Sequence, residues 1–188
     1  VTLTDQIPGL REAIEQEQHI RDTSFLALPE SVCGFDVKPL TLRHVLTLGA
    51  IGSPFMRGGY PMLHDVGAFM VVVGDWSGFK RWRNLRKLSC VEPAKAIAGI
   101  DLFIKESFQD SPSGSGKESG ASYYSFAAAL VDVFGKEYGW PESETLNVPL
   151  KRMFQYIKAI SRRNGETVLF NPSDRVRGQW LETVNKRN

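Results

Sequence analysis

The densest chemistry in the chain lies between Lys80 and Lys87. Lys80, Arg81, Trp82, Arg83, Arg86 and Lys87 stand together with no acidic residue among them. Cations at this spacing can hold phosphates or carboxylates, and an indole between them can stack on a base. These six residues are the candidate partner-binding surface. An acidic protein surface matches them at least as well as nucleic acid does. The plainer reading is a solvated helix face with Trp82, Leu85 and Leu88 turned inward.

Other reactive residues are scattered. His64 and Asp65 suggest a base beside its orienting carboxylate, but neighbours on a helix point about 100° apart and rarely pair. Asp65 reads better as a helix cap. His19 and His44 stand alone, and no HExxH, CxxC or EF-hand spacing is present. Gly114-Ser115-Gly116-Lys117 imitates a phosphate loop. That pattern needs a glycine where Ser111 stands and a hydroxyl residue where Glu118 stands. Cys33 and Cys90 lie far apart and read as reduced, buried thiols of a cytosolic protein. No catalytic, cofactor-binding or metal-binding residue is assigned. The expectation is a protein without enzymatic activity or cofactor. Trp140, Pro141, Phe154 and Tyr156 could line a peptide groove, although such residues more often serve as core and caps.

The elements that must position these residues begin with composition. The 188 residues are 42% hydrophobic and 23% charged, an ordinary globular balance. That excludes a wholly disordered chain, a collagen and a disulfide-dense scaffold. A net charge of +2 excludes nucleic-acid binding by bulk charge but leaves local patches open. The small total hides segregation: a Glu-rich first helix opposes the basic run and a basic C-terminus. Such segregation suits partner-facing surfaces and self-association. The opening residues show no signal-peptide pattern. The most apolar stretch, Val66 to Val73, is far shorter than the roughly 20 residues a bilayer needs.

Periodicity predicts a mainly α fold: one domain of six to seven short helices, a short extended segment near 25–40 and a flexible Ser/Gly loop. The expected division is 1–24 as an amphipathic helix, 25–110 as a helical core, 111–122 as a linker and 123–188 as a helical part on the same core. Thr41 should cap a helix whose buried face is Leu42, Val45, Leu46 and Gly49. Gly52-Ser53-Pro54 should end it, with a loop over 55–61. Further helices are expected at Val66–Val73, along Trp76–Leu88 and from Pro93 to Phe108. The last of these should bury Ala94, Ile97, Ile100, Leu102, Phe103 and Ile104. Beyond the linker, Tyr123–Tyr138 should bury Phe126, Ala127, Leu130, Val131 and Phe134, with Gly139 as its stop. A helix through Met153, Phe154, Ile157 and Ile160 should end near Arg162 and Arg163. A final one should start at Ser173 or Asp174.

The run Leu40-Thr41-Leu42-Arg43-His44-Val45-Leu46-Thr47-Leu48, then Ile51-Gly52-Ser53-Pro54-Phe55, then Asp65-Val66, resembles small proteins of tailed-bacteriophage tail modules. Tyr138-Gly139-Trp140-Pro141-Glu142, followed by Leu146, Pro149-Leu150 and Gln155-Tyr156, is similar in style. The resemblance covers residues 38–75 and 135–165, under half the chain. It implies a small helical tail assembly chaperone, which coats the tape-measure protein and helps tail-tube subunits polymerise. The implied partners are those two proteins, and the implied location is the bacterial host cytoplasm. A structural virion component, such as a connector or completion protein, is the nearest alternative. A nucleic-acid-binding regulator using residues 80–87 is the other.

Overall fold

Apolar stripes at three- and four-residue spacing decide where the helices form, and proline and glycine decide where they stop. The computed structural model describes residues 9–109, 111 and 125–165. Within them the chain is mainly helical, with one two-stranded sheet. Most of the expected 111–122 linker, the helix expected from residue 173 and the first residues before Gly9 lie outside the described residues. Contacts divide the chain into two compact units: Val1–Ala27 with Gln155–Asn188, and Leu28–Phe154.

The first unit contains α1 (Leu10–Leu26). Ala13 and Glu17 are its buried residues. The buried carboxylate of Glu17 is held by Arg21, one turn on, at 3.1 Å. A buried carboxylate is costly unless paired in this way. The Glu-rich character of this helix is therefore not wholly a solvated face. Gln155 donates through Nε2 to the Arg21 carbonyl at 2.9 Å. Phe25 meets Tyr156 edge to face, with ring centroids 5.5 Å apart.

The second unit opens with a hairpin, β1 (Glu30–Val32) and β2 (Phe35–Val37), paired Val32 to Phe35 and Glu30 to Val37. Its two-residue turn puts both Cys33 (φ 55) and Gly34 (φ 79) in the left-handed region. Two positive-φ residues match the right-handed twist of the strands they join. The segment near 25–40 is thus partly helix, partly hairpin.

Thr41 caps α2 (Leu42–Ala50) as expected, accepting the N–H of His44 on its hydroxyl. The helix buries Leu42 and Leu48, whereas Leu46 is exposed and Val45 and Gly49 are half-buried. The inward face is therefore rotated from the expected one. After the Gly52-Ser53 break, Pro54 opens a single-turn helix, α3 (Pro54–Arg57), where a loop was expected. Proline suits a first helical position because its missing N–H has no partner to lose there. Met62 leads into α4 (Leu63–Val73), and α5 (Gly78–Leu88) follows. Pro93 starts α6 (Pro93–Phe108), which buries Ala96, Ile100, Phe103 and Ser107. Ala94 and Leu102, expected inside, are exposed.

α7 (Phe126–Tyr138) buries Ala127, Leu130 and Phe134 and stops at Gly139, while Phe126 stays exposed. Trp140 stacks on Phe134 with ring centroids 5.2 Å apart. A short α8 (Glu142–Asn147) and then α9 (Leu150–Arg163) complete the described order. The unit boundary falls inside α9, so Leu150, Met153 and Phe154 belong to the larger core. Leu150 donates its N–H to the Leu40 carbonyl at 2.8 Å, and Lys151 meets Glu30 at 2.6 Å. With the one-turn α3 and the short α8, the described residues hold nine helices against the expected six to seven.

Candidate binding surface

The site grows from α4. Val66, Phe69, Met70 and Val73, at i, i+3, i+4 and i+7, are buried. That stripe alone would satisfy an ordinary amphipathic helix. The opposite side should be polar, but it carries Leu63, Gly67, Ala68, Val71 and Val72. The helix is apolar on two faces, and only one of them is covered by core.

The second face forms one wall of an open groove of about 760 Å³. Leu63, His64, Gly67, Ala68, Val71 and Val72 come from α4, and Arg81, Leu85, Leu88 and Ser89 come from α5 and its end. Ile51, just past α2, closes one side. Gly67 and Ala68 keep that wall low: a Cβ added at Gly67 would lie 3.4 Å from Leu85. Ile51 is 55% exposed and Leu63 44%. The hydroxyl of Ser89 is spent on the Arg86 carbonyl at 2.7 Å.

The basic run lies on α5, and the structure splits it. Arg81 faces the groove with Leu85 and Leu88. Lys80, Trp82, Arg83, Arg86 and Lys87 are exposed. Trp82 does not turn inward as the plain reading expected. It is 57% exposed, and buried Asn84 occupies the inward side with Leu88. Trp82 instead stacks on Phe79, with centroids 5.7 Å apart, and the Arg86 guanidinium sits 5.7 Å from its ring centroid. None of the five cations joins an ion pair among the described residues.

The scattered candidates resolve separately. Asp65 accepts the Met62 N–H on Oδ2 at 2.8 Å, the helix-start role expected of it. Its other oxygen meets Nε2 of His64 at 3.3 Å, a pairing that adjacency argued against. The carboxylate turns back toward the helix start, which brings it beside the exposed imidazole. Among the described residues no hydroxyl or thiol hydrogen-bonds to His64. His44 sits half-buried in the cap of α2, where burial and the positive charges of Lys38 and Arg43 lower its pKa against the opposing pull of Asp75. Asp75 is held below the usual carboxylate range by its hydrogen bond to Lys38 at 2.6 Å.

Both cysteines are free. Cys33 is half-buried, and that burial raises its thiol pKa. Cys90 is exposed rather than buried, because it follows the last turn of α5. Phe154 is core, and half-buried Trp140 packs on α7. Among the described residues no group of three or more His, Cys, Asp or Glu is placed to hold a metal, and no helix is long and apolar enough to cross a membrane.

Comparison with known proteins finds no matching family model, no similar curated protein and no similar solved structure.

The groove was missed in the sequence, although a signal for it was there. Val66–Val73 is the most apolar stretch of the sequence. Extended back to Leu63, it has no polar face after Asp65, which one buried stripe does not need.

Proposed function

We propose that the chain is a non-enzymatic binding module that seats an amphipathic helix of a partner protein in the groove between α4 and α5. The observation carrying this reading is the second apolar face of α4. An apolar wall with small residues lets a helix approach closely, and its partner is recognised by anchors at i, i+3, i+4 and i+7. Arg81 at the rim favours an occupant with an acidic edge.

The resemblance of residues 38–75 and 135–165 to tail-module proteins supplies the partner class. We propose tail assembly in a phage or prophage, with tape-measure and tail-tube proteins as clients in the host cytoplasm. The test is co-expression with tail-tube and tape-measure proteins of the phage or prophage that carries the gene, followed by pull-down. Capture of either is expected, and its loss is expected on Ala68→Arg. Failure to retain both proteins would remove the tail-assembly reading. A chaperone should also be absent from purified particles, whereas fixed stoichiometry there would make it a structural component.

A further inference from the structure

The outward face of α5 is a second surface, separate from the groove. At about 100° per residue, Phe79, Trp82 and Arg86 fall along one strip. Lys80, Arg83 and Lys87 fall along the adjacent one, giving an outward arc of roughly 160°. Arg81, Asn84, Leu85 and Leu88 occupy the other side.

Three features of this arc call for an occupant. Phe79 is 72% exposed and Trp82 57%, and two large aromatics side by side in water are an unusual use of surface. Their rings are stacked at 29°, and the Arg86 guanidinium lies over the Trp82 ring, 5.7 Å from its centroid. The helix has no carboxylate of its own, and its outward cations have no ion-pair partner among the described residues.

We propose that this face binds single-stranded nucleic acid: one base stacks on Phe79, a second displaces the Arg86 guanidinium from the Trp82 ring, and the freed Arg86 joins Lys80, Arg83 and Lys87 in holding phosphates. An acidic protein surface would satisfy the cations but would give the stacked rings no role. Stacking needs unpaired bases, which a duplex keeps inside its helix. A single strand offers flat bases and phosphates alternately, as the two adjacent strips require.

The test is fluorescence anisotropy of the full chain with labelled oligodeoxythymidine of about 20 nucleotides. Binding should fall with salt on a log–log slope near −3, about 0.7 for each of four phosphates. Trp82→Ala and Phe79→Ala should each weaken it about tenfold, and Trp82→Phe should restore it. Arg83→Gln with Lys87→Gln should lower the slope by about 1.4 while leaving the rings intact. Melting curves of each exposed-site variant should match the unsubstituted chain. No anisotropy change at low salt would overturn the proposal. So would unchanged affinity in Trp82→Ala, or tighter binding to duplex, phosphatidylserine vesicles or polyglutamate.

Discussion

Thr41 and His44 cap α2 reciprocally: the Thr41 hydroxyl accepts the His44 N–H, and Nδ1 of His44 accepts the Thr41 N–H, both at 3.3 Å. An imidazole nitrogen can accept only while it is unprotonated. The folded pKa of His44 lies below its ordinary 6.5, chiefly through burial and then through Lys38. Between that lower value and 6.5 the unfolded chain binds more protons than the folded one. Stability from this residue is therefore complete above 6.5 and is lost as pH falls through the window beneath it. Thermal melts from pH 7 to pH 5 should show a falling midpoint. His44→Gln keeps an acceptor for the Thr41 N–H and cannot titrate. It should flatten that fall, and an equally steep fall in the variant would exclude His44 as its source.

Gly74 ends α4 against buried Trp76. A Cβ there would lie 2.3 Å from Nε1 of Trp76 and 2.6 Å from the Met70 carbonyl oxygen. Neither can yield: Trp76 is core, and the Met70 carbonyl accepts the Gly74 N–H at 3.0 Å. Gly74→Ala should cost about 1–3 kcal/mol in urea unfolding. Gly49, inside α2, has no atom of the described residues within 4 Å of where a Cβ would lie. Gly49→Ala should add about 0.5–1 kcal/mol, since alanine loses less backbone freedom in a helix. Equal effects of the two changes would mean that packing at Trp76 is not the cause.

Ser53 is buried, and among the described residues its hydroxyl has no hydrogen-bond partner. Its backbone is secured independently, since its N–H donates to the Leu48 carbonyl at 2.9 Å. Removing the oxygen takes away an unpaired polar atom and little else. Ser53→Ala should therefore raise unfolding stability by about 1 kcal/mol. A loss of similar size would show that the hydroxyl is satisfied in solution.

Local signals were legible wherever one residue type does one job. The Thr41 cap, the Pro93 start, the Gly139 stop and the Met153–Phe154 stripe follow from backbone donors, ring constraints and helical period. Which side of a helix faces in was harder to read. α2 and α6 carry apolar residues on more than one side, and periodicity cannot say which side other elements cover. Leu46 and Leu102 fit a buried stripe by spacing yet are exposed. The basic surface was legible as composition, but the stack of Trp82 on Phe79 was not. Asn84 and Leu88 already satisfy the inward side of α5, which leaves the indole to solvent. The groove needed the tertiary placement of α5 beside α4, and the residues of α4 alone do not encode that.

The two apolar faces of α4 should respond oppositely to substitution. Phe69 is fully buried, with Phe55 5.4 Å and Phe103 6.2 Å away between ring centroids. Phe69→Ala opens a cavity among rigid rings and should cost about 3–5 kcal/mol. Leu63, nearly two turns earlier, lines the groove and already meets water. Leu63→Ser should change stability by no more than about 0.5 kcal/mol. The same change should lower the binding of an apolar dye such as anilinonaphthalene sulfonate to the folded chain, because it removes groove wall. Chemical denaturation and dye titration on both variants separate the faces. A large stability loss in Leu63→Ser would mean that the groove is closed in solution, and with it the binding face of α4 would disappear.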